Sequence, residues 1–264
     1  MGLTLKKTTF FFAFMLPIWS LASEQAQIVT GTRTGTMAVR LGLPEFQFRG
    51  GGGPQGLEYT RIFNETLWDD LEFSGVVSLV NRSFYPLGGF GRTIDIDTTA
   101  WTTNEVDAQF ISFGNAFIEK GDFVVESRLW DLRTRLADRE AILSGRRFRT
   151  PLGEDAVRLV AHQWADMVIE ALGGGIRGVA QTKIAFVSDR TGRGEKEIFV
   201  MDYDGHNQFQ LTTIRNLALT PSWAPDGERI AYTSWARNKA DVAIISRIDR
   251  RGYPFPEFEG TTTT

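Results

Sequence analysis

Two helix-period segments bracketing alternating strands, a glycine-rich stretch, and a strand sequence that returns 46 residues later (Lys183 to Arg229) predict an α+β chain. In order, these features predict an N-terminal α/β domain followed by an incomplete β-propeller of about two blades. A chain of 264 residues, 42% of them hydrophobic, is long enough for one large or two small cores.

The chain opens with an address. Lys6 and Lys7 form a basic start, Phe10 to Leu21 is apolar apart from Ser20, and Ser20-Leu21-Ala22 offers small residues for cleavage. This is the three-part pattern of a secretory signal over residues 1–22. The run is shorter than the roughly 20 residues of a spanning helix, so no membrane span is expected after signal cleavage. The mature chain is expected to start near Ser23 and to be periplasmic.

The α/β domain is placed at residues 23–175. Ser23 to Gly35 is polar, with the apolar pair Ile28-Val29, and reads as an extended arm. Met37, Val39 and Leu41 alternate with their neighbours as in a strand ended by Pro44. Gly50 to Gly53 with Pro54 is a loop. Tyr59, Ile62, Phe63, Thr66, Leu67 and Leu71 then recur at helical spacing, which predicts a helix over Leu57 to Phe73. Val76 to Val80 reads as a buried strand, Gly88 to Gly91 as loop, and Trp101 to Val106 as a short helix. Ala108 to Ile118, Asp122 to Leu132 and Ala141 to Phe148 read as antiparallel strands, the first two joined at Lys120-Gly121. Glu154 to Leu172 is a helix with Val157, Val160, Ala161, Trp164, Val168 and Ala171 as its buried stripe. Gly173 to Gly175 end it, and the domain boundary is placed in 173–178.

Residues 179–264 carry the repeat. Lys183-Ile184-Ala185-Phe186-Val187-Ser188 returns as Arg229-Ile230-Ala231-Tyr232-Thr233-Ser234. Second strands follow at Glu197 to Asp202 and Asp241 to Ser246, each expected to lead into a turn, at Asp204-Gly205 and Arg251-Gly252. Short strands repeating every 40–50 residues or so mark propeller blades. Pro225-Asp226-Gly227 sets a hairpin, with proline fixing φ and glycine accepting a positive one. Trp223, before that turn, is expected to fill the gap between blades, and Pro221, lacking an N–H, to stand at a strand start.

Several chemistries are excluded or disfavoured. A net charge of −3 does not supply the basic stripe of a nucleic-acid binder. The absence of cysteine rules out disulfides, thiolate metal sites and cysteine nucleophiles. No Gly-x-Ser-x-Gly elbow or His-Glu-x-x-His helix occurs, so no catalytic residue is assigned. Gly51-x-Gly53-x-x-Gly56 matches a dinucleotide fingerprint only formally, because Pro44 breaks the preceding strand; a strand-to-helix loop explains it, and no cofactor is assigned. Glu197, Asp202, Asp204 and Asn207 lack the alternation of a calcium loop, and Asp-Gly hairpin chemistry explains them better. His162, with no second ligand in sequence, reads as a packing or surface residue, so no metal is assigned. Arg215-Asn216-Leu217-Ala218-Leu219 connects the two blades. It is either a plain connector or, since such segments ring the mouth of a propeller, a partner-binding surface centred on Arg215, Asn216, Leu217 and Leu219.

Trp223, the Pro225-Asp226-Gly227 turn, and the strands carrying Ile184 and Phe186, then Ile230 and Tyr232, resemble the repeat of the TolB family. So does the order of signal, arm, α/β segment, glycine hinge, Lys183 to Ser188 and Met201 to Gln208. The resemblance implies a non-enzymatic protein–protein interaction component of the Tol–Pal system, supporting outer-membrane integrity and constriction at division. It implies a propeller that binds a Pal-like peptidoglycan-associated lipoprotein. It also implies an arm, here Glu24, Gln25, Ala26, Gln27, Ile28 and Val29, that meets a TolA-like inner-membrane protein. The family's propeller has six blades, whereas Thr182 to Thr264 has room for roughly two. A C-terminally truncated chain with an incomplete lipoprotein site is therefore expected. The alternatives are the propeller of an exported serine peptidase whose catalytic domain lies beyond Thr264, and a propeller binding sugar or peptidoglycan fragments.

Overall fold

The computed structural model describes residues 39–86, 98–134, 142–192, 194–256 and 263. The signal, the arm and the loop at 88–91 lie outside them. Among the described residues no helix is long and apolar enough to cross a membrane.

The first half is a mixed sheet with its two long helices on one face. Strand β1 (Val39–Gly42) is followed by β2 (Gln47–Phe48), helix α1 (Gly53–Phe73) and β3 (Val77–Leu79). Because α1 crosses over between them, β3 pairs parallel with β1. Strand β4 (Phe110–Glu119) lies parallel to β1 on its other side, and continues antiparallel into β5 (Asp122–Asp131) and β6 (Ile142–Pro151). The expected set of antiparallel strands is thus extended by a parallel edge. The β4–β5 turn has Lys120 and Gly121 at φ 54° and 83°, the pair of positive values that matches strand twist in a two-residue hairpin.

Period two on β4 serves two cores. Phe110, Ser112 and Ala116 face α1 and α3 (Glu154–Leu172), while Ile111 and Phe113 join Val80, Trp101, Val106 and Ala108 on the opposite face. On β5, Phe123, Val125, Ser127 and Leu129 are all buried, and Val124 between the first two is buried as well, so the start of the strand is covered on both faces. Gly114 is required here: a Cβ would lie 2.0 Å from the Glu126 carbonyl oxygen. Gly56, the last glycine of the formal fingerprint, is likewise a packing glycine, with the Phe48 ring 2.1 Å from where a Cβ would stand.

Two local expectations in this half are corrected. The short helix is α2 (Thr98–Trp101), not 101–106. Trp101 is buried, and its carbonyl accepts the Ala108 N–H, so the chain doubles back there to enter β4. Ala171 is exposed; the α3 stripe instead gains His162, Ala165 and Ile169.

The second half holds two small sheets: β7 (Lys183–Ser188), β8 (Glu197–Asp202) and β9 (Phe209–Gln210), then β10 (Ala218–Trp223), β11 (Arg229–Ser234), β12 (Asp241–Ser246) and β13 (Gly252–Tyr253). The four repeat strands have the bounds read from sequence. Both sheets share one cluster built on Ile198, Val200, Leu211, Ala218, Ile230, Tyr232 and Ile245. The repeat copies meet it with opposite faces. Ala185 and Val187 of β7 turn toward it, as do Ile230 and Tyr232 of β11, whereas Ile184 is exposed.

Three details differ from the sequence reading. Pro221 lies within β10, at a register shift between Leu219 and Ser222 where Thr220 has φ 49°; the bulge accommodates the missing N–H. The turn after β12 spans 247–250, closed by Ser246 N–H to Arg251 O, and Gly252 already pairs with Ile245. Trp223 is only half-buried against the shared cluster. The exposed Pro225-Asp226-Gly227 turn forms as expected, with Gly227 at φ 68° and its N–H on Ala224 O.

Candidate functional site

The inter-sheet connector is built from backbone pairing. Glu197, at the start of β8, is buried; it accepts the Arg215 N–H at 2.7 Å and the Thr212 hydroxyl at 2.5 Å. The Lys196 N–H reaches Asn216 O at 2.8 Å, and Lys196 O accepts from Ala218 at 2.7 Å. On the other side Leu217 O accepts the Trp235 N–H, and the Asn216 amide donates to Trp235 O at 2.8 Å. The connector therefore staples the two sheets together. Arg215 has φ 58° and an exposed side chain, while Asn216, Leu217 and Leu219 are half-buried. Of the connector residues expected at a partner surface, Arg215 is the one presented outright. The arm residues Glu24 to Val29 lie outside the described residues.

A second constellation joins the helices to the β8–β9 turn. Asp70 on α1 and His162 on α3 are both nearly inaccessible, and His162 Nδ1 lies 2.7 Å from Asp70 Oδ2. His162 Nε2 points at Asp204 Oδ2 across 3.7 Å. Arg158, one helical turn earlier on α3, donates to Thr66 Oγ1 at 3.0 Å and to Asp204 Oδ2 at 3.2 Å. Asp202 pairs with Lys183 and accepts the Asn207 amide at 2.7 Å. The turn itself is set by Gly205 at φ 83° and by the His206 N–H on Asp204 Oδ1. Beside it Phe73 and Tyr203 meet edge to face at 5.3 Å, and a groove of about 530 Å³ runs between Asp69, Asp70, Glu72, Phe73, Tyr203 and Asp204.

Charge in this junction is poised by burial. Burial raises the Asp70 carboxyl above its ordinary range, with the His162 hydrogen bond opposing. For His162, burial acts to lower the imidazole, but the Asp70 hydrogen bond and the charges of Asp70, Asp204 and Asp202 outweigh it, and the net shift is upward. Asp69 is raised by burial and by the neighbouring Glu72.

Of the residues weighed as a calcium loop, Glu197 caps the connector and only Asp202, Asp204 and Asn207 share a turn. His162, read as isolated, is brought together with three carboxylates. Asp70 and His162 stand 92 positions apart, so no spacing links them. The one available signal was an ionisable residue on the inward stripe of each helix.

The comparisons agree in direction. Residues 170–263 match the family model described as the TolB beta propeller domain. The chain is 29% identical over 222 residues to the Tol-Pal system protein TolB of Desulfosudis oleivorans, covering 82% of this chain and 47% of that protein. It is 33% identical over 176 residues to the TolB of Actinobacillus pleuropneumoniae serotype 5b, covering 67% of this chain and 39% of that one. The crystal structure of TolB from Acinetobacter baumannii superposes with a TM-score of 0.64 at 19% identity, over 82% of this chain and 49% of that one, a likeness of fold. The chain spans about half the length of the curated relatives it matches.

Proposed function

Because the chain belongs to the TolB family, we propose that it is a non-enzymatic, periplasmic protein–protein interaction component of a Tol–Pal system, supporting outer-membrane integrity and constriction during division. The observation that carries this reading is co-linearity. One relative aligns through 82% of the chain, so the similarity is not confined to the strand repeat that many propellers share.

The two small sheets are proposed as two propeller blades. Their packing supports this, since one sheet offers the shared cluster one face of the repeat and the other sheet the opposite face. Sheets that stack in this head-to-tail sense present the same unsatisfied face to each next neighbour, as blades around a ring do. Residues 23–175 are proposed as the accompanying α/β domain. Arg215, with Asn216, Leu217 and Leu219, is proposed as part of the surface for a Pal-like lipoprotein, and Glu24 to Val29 as the arm for a TolA-like protein.

In-cell photocrosslinking tests the reading. A photoreactive amino acid at Arg215 or Leu219 is expected to trap a peptidoglycan-associated lipoprotein, since crosslinking captures even the weak contact of an incomplete site, and one at Gln25 or Ile28 an inner-membrane protein. Adducts with neither, from a chain shown to be exported and cleaved near Ser23, would overturn the assignment.

A further inference from the structure

From the junction of α1, α3 and the β8–β9 turn, we propose that His162, Asp202 and Asp204 form a Zn²⁺ site that clasps the helical layer to the first small sheet. The inference is independent of which partners the chain binds. His162, Asp202 and Asp204 each offer a ligand atom, and these atoms all lie within 4.8 Å of one another. His162 Nε2 is buried and has no hydrogen-bond partner. It is aimed at Asp204 Oδ2 over 3.7 Å, which is too long for a hydrogen bond. Two ligands on a tetrahedral ion with bonds of about 2.0–2.1 Å stand roughly 3.3–3.5 Å apart, so His162 and Asp204 close by a few tenths of an ångström and Asp202, within 4.8 Å of them, by a rotation of its side chain.

The surroundings favour an ion over chance proximity. The opposite ring nitrogen, Nδ1, is held at 2.7 Å by Asp70, whose side chain is fully buried. A carboxylate behind a histidine in this way orients the ring and strengthens its free nitrogen as a ligand. The two acidic ligands sit two residues apart in a turn fixed by Gly205 and by the Asp204–His206 bond, so they are pre-positioned. Lys183 and Arg158 already touch Asp202 and Asp204 but leave each carboxylate with unused lone pairs. A cavity of about 160 Å³ lined by His162, Asp202, Lys183 and Asn207 adjoins the site.

The full chain, freed of metal by chelator and dialysis, would be titrated with ZnCl₂ by calorimetry while its melting temperature is followed. One equivalent is expected to bind and to raise the melting temperature. Co²⁺ is expected to give the visible absorption of a four-coordinate nitrogen–oxygen site. Asp204→Asn and His162→Gln should abolish both responses, and Asp70→Asn, acting through the ring, should weaken Zn²⁺ binding about 10–100-fold. If His162→Gln does not fold, Asp204→Asn decides, since an asparagine keeps the oxygen that caps His206. Failure of the folded wild-type chain to bind Zn²⁺ saturably would overturn the site. Binding that survives Asp204→Asn and Asp70→Asn unchanged would place the metal elsewhere, with the same consequence.

Discussion

Replacing Trp164 separates the apolar and polar parts of the main core. Its indole is fully buried between α3 and the sheet, edge-on to Phe148, and its Nε1 donates to Ser112 Oγ at 2.9 Å. Removing a buried indole forfeits roughly 200 Å² of covered surface, or about 5 kcal/mol, in line with the usual range for Trp→Ala of about 3–5 kcal/mol. Ser112, itself fully buried, would also lose its partner, a further cost of about 1–3 kcal/mol. Trp164→Ala is thus expected to lose about 4–8 kcal/mol, a large share of an ordinary domain's stability. Trp164→Phe keeps most of the ring but strands Ser112, for about 1–3 kcal/mol. Adding Ser112→Ala to Trp164→Phe should restore much of that loss, because removing both partners is nearly neutral. Urea unfolding followed by circular dichroism and fluorescence would measure these variants beside Ser112→Ala alone and the wild type. Strict additivity of the pair, or a loss under about 1 kcal/mol for Trp164→Ala, would refute the reasoning. Trp223→Ala in the same assay should cost only about 2 kcal/mol, because that ring is half-buried.

Gly114→Ala should cost about 3 kcal/mol or more, since the new methyl must displace the Glu126 carbonyl and the Phe46 ring; a wild-type urea midpoint would show that β4 and β5 part easily. The Asp226 carboxyl is held at about 2 by the Glu228 N–H and then by Arg229, so it should titrate there by NMR. Its folded value lies below the unfolded one. Its contribution to the hairpin is therefore complete above roughly pH 4 and fades as pH falls through about 2. A titration midpoint near 4 would show that the turn does not engage the carboxylate.

Much of the fold was legible because local rules dominate where they agree. The α3 bounds, Glu154 to Leu172, follow from helical spacing ended by glycines. The strands Lys183–Ser188, Glu197–Asp202, Arg229–Ser234 and Asp241–Ser246 follow from the repeat. Lys120-Gly121 and Pro225-Asp226-Gly227 announce their turns through backbone chemistry. Legibility failed where long-range contact overrides a local preference. Trp101 ends α2 early because its ring must lie under Gly42, where a Cβ would stand 2.8 Å from it. Pro221 sits inside β10 because a bulge absorbs it.

The sequence by itself determined the periodicities, the turns and the order of elements, since each depends on residues within a few positions of one another. Only the tertiary structure decided which faces and stripes meet. Alternation on β7 and β11 says that neighbouring residues point opposite ways, but not that Ala185 and Val187 face the shared core from one copy while Ile230 and Tyr232 face it from the other. Helical spacing puts Asp70 and His162 on inward stripes, but not against each other or beneath Asp204. Those pairings depend on the docking of α1, α3 and the β8–β9 turn, and a buried charge finds its partner only when the elements that carry it have packed.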